Sequence, residues 1–266
     1  MNSIETVRRR LVQIIGWLAP ASCLLCRCQH NRARAICADC EAAFSRNHRA
    51  CQRCALPLQT KTRSGLSRSG SRTSADRYLC RHCLRQPPPF ASAHAPYLMR
   101  TGIRDLIHLW KFQNRPQLTG LLADLLVSLM PQGSTDSLIA QGDIQTALVP
   151  IPTQWRRQVR RGFDHTWLLA NAIRSHCSQP VLVKPWLKNR HYRPAQHRLN
   201  KKNRLADTQD RFTAHPAIAG HKVVLIDDVM TTGSTARAAA RACAEAGAHS
   251  VAVWCLARTP APFGVE

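Results

Sequence analysis

The chain has 266 residues, and its 38 Lys and Arg against 15 Asp and Glu give a formal net charge of +23. This length allows one sizeable core and a smaller unit. No apolar stretch approaches the roughly twenty residues that a bilayer span requires, so the sequence predicts no such span. The charge indicates anionic partners, either phosphorylated small molecules or nucleic acid, unless arginine simply enriches a solvated surface.

The first 22 residues predict an amphipathic helix that packs on the following segment. Arg8–Arg10 and the apolar run Leu11–Ala19 imitate an export signal. However, Pro20 stands three positions before Cys23, where a lipoprotein signal has an apolar residue such as leucine. The apolar residues instead recur on one helical face, at Ile4, Val7, Leu11, Ile14, Ile15 and Leu18.

Four CxxC pairs follow, a layout that indicates bound metal rather than the disulfides of a secreted protein. Each pair presents two thiolates to one ion, and two pairs complete a tetrahedral zinc site. The pairs can combine in sequence order or crosswise, and the ribbon-length loop between Cys26 and Cys37 favours sequence order. Cys28, His30 and His82 fit bystanders better than ligands. We therefore predict a double zinc-ribbon-like module over residues 23–86 with two structural Zn²⁺, held by Cys23, Cys26, Cys37, Cys40, Cys51, Cys54, Cys80 and Cys83.

Within this module, residues 61–76 read KTRSGLSRSGSRTSAD, a composition that predicts a mobile basic loop. A solvated insertion is favoured, and contact with nucleic-acid phosphates is the alternative. Gln86–Phe90 contains three consecutive prolines, which give a stiff connector after the module.

Residues 90–266 predict an α/β domain with a mainly parallel sheet, because apolar strand patterns alternate with helical ones. In such a sheet the ligand loops gather at the carboxyl ends of the strands. The predicted strands are Tyr97–Met99, Ala147–Ile151, Val181–Lys184 and Ser250–Ala257, and the predicted helices are Ile103–Lys111, Leu118–Met130 and a segment from Asp164 or His165 to Ile173. Pro131–Gly142 is predicted as a polar loop, and Cys177, Cys243 and Cys255 as packing thiols.

Two basic segments lie between these elements. Arg156–Phe163 reads RRQVRRGF and follows a predicted strand, so it forms a basic loop with a glycine before a helix. Arg193–Arg204 reads RPAQHRLNKKNR and shows little periodicity. By itself, the second segment is equally consistent with a loop that faces nucleic acid.

The stretch Lys222–Gly247 has the pattern of a phosphate-binding device. An apolar run, Val223–Ile226, predicts a buried strand, and a helix then runs to Gly247, which stands where a C′ glycine ends a helix. Free backbone N–H groups, hydroxyls and the helix dipole attract an anion at the loop between them, and ionised acids can accept hydrogen bonds from sugar hydroxyls. The acids are Asp227 and Asp228, and the loop is Thr231, Thr232, Gly233, Ser234 and Thr235.

The motif VVLIDDVMTTGST resembles the phosphoribosyl pyrophosphate (PRPP) motif of type I phosphoribosyltransferases, in the version found in the ComF family. The CxxC module and Lys111-Phe112 are similar to that family as well. The resemblance implies that Asp227 and Asp228 hold the ribose 2′- and 3′-hydroxyls of PRPP as the catalytic acids. It also implies that Thr231–Thr235 cradles the 5′-phosphate.

Two further loops acquire roles through this resemblance. Arg160, Arg161 and Gly162 would bind the pyrophosphate with Mg²⁺, although the family usually reads RGFNQ where this chain reads RGFDH. The segment 193–204 is similar to the mobile hood that closes over PRPP, with Asp207 in place of the family's asparagine. Its candidate residues are Gln196, Lys201, Lys202 and Arg204.

The resemblance implies a cytoplasmic protein associated with DNA uptake in natural competence, or with DNA as a nutrient. The first hypothesis is a type I phosphoribosyltransferase-like protein that binds PRPP and transfers its ribosyl group. A non-catalytic protein that handles single-stranded DNA on the same fold is the second, and a PRPP-sensing regulator is the third. Expected partners are PRPP, single-stranded DNA and other DNA-uptake proteins.

Overall fold

The computed structural model describes residues 21–58, 78–130, 144–153, 162–190 and 211–261. Several predictions lie outside these residues: most of the helix over residues 1–22, the insert 61–76 and the loop Pro131–Gly142. The same holds for Arg160 and Arg161 of the basic loop and for the hood residues Gln196, Lys201, Lys202 and Arg204.

Short and long strands occur along the whole described chain. In chain order they are β1 (Ala21–Ser22), β2 (Gln29–His30), β3 (Ser92–His94), β4 (Tyr97–Leu98), β5 (Thr146–Pro150), β6 (Leu182–Val183), β7 (Leu187–Asn189), β8 (Phe212–Ala214), β9 (Lys222–Met230) and β10 (Ser250–Arg258). The helices are α1 (Ala38–Ala42), α2 (Arg81–Arg85), α3 (Ile103–Phe112), α4 (Thr119–Val127), α5 (His165–Arg174) and α6 (Ser234–Glu245), with 3₁₀ turns at Pro116–Leu118 and Pro216–Ile218.

The main sheet has the order β3-β10-β9-β5-β6, and β4 also pairs with β10. Every pairing in it is parallel, which confirms the predicted fold class. Strand β9 is central: Ile226 lies between Trp254 of β10 and Pro150 of β5. A strand covered on both edges and both faces must be apolar in succession, as Val223–Ile226 is.

The two faces of the sheet are covered by different helices. Val224 and Ile226 of β9 point to a core that includes side chains of α3, α4 and α5, whereas Val223 and Leu225 point to a core that includes α6. Successive side chains of a strand alternate between faces. The alanines of α6 therefore let this helix lie close to the sheet, and Cys243 packs there as predicted.

The first cysteine module shares its core with the α/β domain. Cys23, Ile36 and Phe44 belong to the same apolar cluster as α3 and α4. The Phe44 ring meets Tyr97 edge to face, with 5.7 Å between centroids and an angle of 88°. Gly102 adopts a φ of +87°, and a Cβ there would lie 2.8 Å from the Phe44 ring. Contacts therefore cross the predicted boundary near residue 90, and the division into domains stays a prediction.

Some strands differ from the sequence-based expectation. Strand β9 continues to Met230, so the acid pair lies inside the strand rather than after Ile226. Strands β7 and β8 form an unpredicted antiparallel pair. Both are too short for a periodic signal, and β9 is prolonged by its parallel partner β10 up to the pair Met230–Arg258. Among the described helices, none combines the length and the apolar character that a membrane span needs.

Candidate functional site

The eight cysteines of the four CxxC pairs form two groups of four. Cys23, Cys26, Cys37 and Cys40 make the first cluster, and Cys51, Cys54, Cys80 and Cys83 make the second; within each cluster the ligand atoms lie within 4.8 Å of one another. The sequence-order pairing is thereby confirmed. Cys28, His30 and His82 belong to neither cluster.

The geometry of both clusters fits zinc. The Cys26 and Cys37 sulfurs are 3.7 Å apart, and those of Cys54 and Cys80 are 3.6 Å apart. A zinc tetrahedron with Zn–S bonds of about 2.3 Å has S–S edges of roughly 3.8 Å. Backbone N–H groups also donate to cluster sulfurs, as from Cys83 to Cys80 Sγ at 3.4 Å. The chain therefore contains two four-cysteine sites suited to structural zinc.

The clusters differ in exposure. In the second cluster all four cysteines are buried, whereas in the first cluster Cys26 is exposed and Cys40 is partly buried. All twelve cysteines lie in the described part of the chain, and each is a free thiol there. Burial raises the pKa of Cys243 to about 12, in keeping with a packing role for this thiol.

The acid pair lies at the switch point of the parallel sheet. From β5 the chain proceeds outward to β6, then returns to β9 on the other side of β5 and continues outward to β10. In open α/β sheets the crevice beyond the carboxyl ends of two such diverging strands is where ligands bind. Asp227 and Asp228 occupy the carboxyl half of β9 at this crevice.

Asp228 is held by two basic side chains that the sequence did not single out as site residues. Its Oδ2 forms a salt bridge with Lys111 Nζ and lies 2.5 Å from His165 Nε2. Trp110 supports the imidazole edge to face, with 5.3 Å between ring centroids. Asp228 and His165 are 7% and 1% exposed. In the sequence, Lys111 belongs to the Lys111-Phe112 pair that is similar to the family, and His165 belongs to the RGFDH segment that differs from it. Neither feature indicated a contact with Asp228.

This asymmetry separates the acidities of the two carboxyl groups. Burial and the neighbouring Asp228 charge together raise the pKa of Asp227 to about 7. Burial acts in the same direction on Asp228, but the Lys111 charge and the His165 hydrogen bond outweigh it and hold the pKa of Asp228 well below its usual range. One acid thus stays ionised, and the other changes protonation near neutral pH.

The hydroxylated loop between β9 and α6 has an open, donor-rich surface. Thr231, Thr232 and Ser234 are exposed, and Gly233 adopts a φ of +79° that favours glycine. The Ser234 amide donates to Thr232 Oγ1 at 3.3 Å, which tightens the turn at the start of α6. The loop brings the N-terminus of a 12-residue helix and several hydroxyls to the switch-point crevice.

For the other predicted loops, the structure describes only residues at or beside their ends. Gly162 has a φ of +76°, and Asp164 caps α5 by accepting a hydrogen bond from the Trp167 amide at 3.2 Å. The Asp164 carboxylate is thus engaged by its own helix. In the sequence, the predicted hood segment lies between β7 and β8, where the Arg190 amide donates to the Arg211 carbonyl at 2.9 Å. Arg211 Nη1 lies 3.5 Å from Thr235 Oγ1.

Two family models match separate parts of the chain. A phosphoribosyl transferase domain matches residues 185–263, and a double zinc ribbon domain matches residues 14–68. The first match contains the acid pair and the hydroxylated loop. The second contains the first three CxxC pairs, and the structure adds Cys80 and Cys83 to complete the second cluster.

Curated relatives cover from two thirds to nine tenths of the chain. DNA utilization protein YhgH of Escherichia coli K12 is 30% identical over 247 residues, which are 90% of this chain and 98% of the relative. Competence protein F of Haemophilus influenzae is 28% identical and covers 67% of this chain and 78% of its own. Competence protein ComFC of Bacillus subtilis is 27% identical, with 68% and 78% covered.

Proposed function

Because the chain belongs to the ComF family, which DNA utilization protein YhgH and the competence proteins F and ComFC represent, we propose that it binds PRPP with Mg²⁺ and transfers the ribosyl group. The observation that carries this proposal is one juxtaposition. An acid pair and a Thr/Gly/Ser loop lie together where strand order diverges in a parallel sheet. We also propose a role in DNA uptake or use, after the names of these relatives.

Each half of PRPP meets a matching chemical environment. The ionised Asp228 accepts a hydrogen bond from a ribose hydroxyl, and Lys111 and His165 keep its carboxylate charged and oriented. Asp227, beside it, takes the second hydroxyl. The hydroxyls and amides of Thr231–Thr235 bind the 5′-phosphate at the positive end of α6.

The chemical step breaks the bond between ribose C1 and a pyrophosphate oxygen. Pyrophosphate leaves with the electron pair, and the nucleophilic atom of the acceptor forms the new bond to C1. Arg160, Arg161 and Gly162 would hold the leaving group, and bound Mg²⁺ would neutralise its charge. The hood residues Gln196, Lys201, Lys202 and Arg204 would close over the site and exclude water as positive charge develops on the ribose.

Calorimetric titration with PRPP and Mg²⁺ tests the assignment of the acid pair. We expect Asp227→Asn and Asp228→Asn each to weaken binding ten- to a hundredfold, because a charge-assisted hydrogen bond contributes about 1.5–3 kcal/mol. Glu245→Gln makes the same charge change at an exposed position at the end of α6 and should bind like the wild type. Wild-type affinity in both aspartate variants contradicts the assignment.

A second candidate function, binding of single-stranded DNA, is favoured by the net charge of +23, which extends well beyond the pocket. Such binding should weaken with salt, log K falling by roughly 0.7 per phosphate neutralised for each unit of log salt. We expect Lys201, Lys202 and Arg204 changed together to alanine to weaken it, and Asp227→Asn to leave it unchanged. Fluorescence anisotropy from about 50 mM salt upward measures both effects.

A triple change of Arg8, Arg9 and Arg10 to alanine removes the same charge from another segment and serves as the matched control. If the two triple variants weaken DNA binding equally, the hood contributes only its charge. If the wild type does not retain single-stranded DNA at about 50 mM salt, where counterion release is most favourable, this second function is wrong.

A further inference from the structure

Arg258 is a buried cation at the end of β10, and its hydrogen bonds join two parts of the molecule that are far apart in sequence. The residue is only 5% exposed. Nε donates to the Cys54 carbonyl at 3.1 Å, and Nη1 donates to the Met230 carbonyl at 2.9 Å and to the Thr231 carbonyl. A guanidinium this deeply buried needs partners on several sides, and Arg258 finds them in backbone carbonyls.

Arg258 also lies beside the second cysteine cluster, through its contact with the Cys54 carbonyl. No carboxylate of the described residues forms a salt bridge with Arg258, and of the carbonyls that it contacts, one belongs to the ligand Cys54. Four thiolates around one Zn²⁺ carry a formal charge of −2, which a buried cation stabilises. Groups that bond to metal ligands in this way orient them and adjust metal affinity.

Hydrogen bonds hold the turn that contains Cys54 in place. Ala55 follows Cys54 with a φ of +53°, and its carbonyl accepts a hydrogen bond from Asn47 Nδ2 at 2.8 Å. The Gln52 carbonyl accepts another from the Ala93 amide at 3.3 Å. The Cys54 peptide therefore has a defined direction, and it presents its carbonyl to Arg258.

On the other side, Arg258 orients the first peptide units of the hydroxylated loop. The carbonyl and the N–H of a trans peptide point in opposite directions. With the Met230 and Thr231 carbonyls turned toward Arg258, the amides of Thr231 and Thr232 point away from it. Those amides are donors of the loop that receives an anion.

We propose that Arg258 is a positioning residue that couples metal binding at Cys51, Cys54, Cys80 and Cys83 to anion binding at Thr231–Thr235. Zinc in the second cluster holds the guanidinium, and the guanidinium holds the loop peptides in their anion-binding orientation. Because such coupling of binding free energies is reciprocal, a bound phosphate group also strengthens zinc binding at that cluster, and we expect zinc loss to be slower as a result. The identity of the anion as PRPP rests on the proposed function, whereas the coupling itself does not.

The test uses zinc-loaded full-length protein and the substitution Arg258→Lys, which keeps the charge but replaces the separate Nε and Nη1 donors with one ammonium nitrogen. Amide hydrogen exchange is followed by mass spectrometry in peptides that cover Thr231–Thr235 and Cys51–Cys54. We expect faster exchange in both segments, with α3 and α5 protected as in the wild type. We also expect about tenfold faster zinc release from the second cluster, measured with a colorimetric chelator, and about tenfold weaker PRPP binding.

Asp227→Asn is the control, since it weakens PRPP binding but leaves zinc release and loop exchange unchanged. A second arm needs no change at Arg258: saturating PRPP should slow zinc release from the second cluster in the wild type and have no effect in Arg258→Lys. If the wild type binds no PRPP, the proposed function fails, while exchange and zinc release still test the coupling.

Wild-type exchange in the Thr231–Thr235 peptides of Arg258→Lys overturns the proposal. Loss of protection throughout the sheet overturns it as well, because Arg258 would then serve the fold as a whole. Arg258→Met, which keeps the apolar stem without any donor, should match or exceed the effects of Arg258→Lys. A smaller effect of the methionine variant on zinc release would also contradict the coupling.

Discussion

Replacing Cys51 with serine is expected to remove one zinc ion per chain and to lower the melting temperature by on the order of 10 °C. Cys51 is a fully buried member of the second cluster, so the serine leaves three thiolates around a site that cannot recruit water easily. Binding at a structural zinc site contributes about 10–16 kcal/mol to folding, and losing one ligand removes several kcal/mol of it. Each kcal/mol shifts the melting temperature of a domain of this size by about 2–4 °C.

Elemental analysis of protein purified without chelator measures the zinc, and calorimetry measures the melting temperature. The wild type should contain close to two zinc ions per chain. Cys28→Ser is the matched control because Cys28 is exposed and lies outside both clusters, so it should retain both ions. One zinc ion or none in the wild type, or disulfides among these cysteines, contradicts the two-site assignment.

Asparagine at Asp227 should stabilise the protein, and asparagine at Asp228 should destabilise it. Burial and the neighbouring Asp228 raise the pKa of Asp227 to about 7 from an ordinary value of 3.8, a shift that corresponds to at most about 4 kcal/mol. Because Asp227 is only partly buried, we expect Asp227→Asn to gain about half of that at pH 8. Asp228→Asn leaves Lys111, whose side chain is only 13% exposed, without its counter-charge and should lose about 3 kcal/mol or more.

The pH dependence of the Asp227 effect has a definite sign. A carboxyl group with a raised pKa in the folded state stabilises the fold at pH below its unfolded value and loses this contribution as pH rises through the folded value. The advantage of Asp227→Asn over the wild type should therefore grow from about pH 4 to about pH 7 and be constant above it. Urea unfolding at several pH values measures this, and equal stability of both variants at pH 8 would contradict the assigned asymmetry.

The gain from Asp227→Asn would be a cost of function in the wild type. A carboxyl group that destabilises the free protein is retained where it serves a ligand. The same substitution is expected to weaken PRPP binding, so stability and affinity should change in opposite directions at this residue. At Asp228 both should fall, because the same carboxylate is part of the fold and of the site.

The sequence alone was sufficient to predict the features that depend on interactions between residues close together in the chain. A CxxC spacing brings two thiolates to one ion without help from the rest of the chain, so the sites at Cys23–Cys40 and Cys51–Cys83 could be predicted with their ligands. The buried strand, the acid pair and the hydroxylated loop occupy one continuous stretch, 222–235. Strand and helix patterns were long enough there to predict a parallel α/β fold.

Tertiary structure alone decided how the two acids differ and what connects the zinc module to the loop. Lys111 and His165 meet Asp228 across 117 and 63 positions of the chain, and Arg258 lies 204 positions from Cys54. No spacing rule relates residues on different elements, because sheet order and helix packing bring them together. The parallel register that ends at Met230 and Arg258 places a buried guanidinium between the second cysteine cluster and the hydroxylated loop, since β10 lies beside β9 only in the folded sheet.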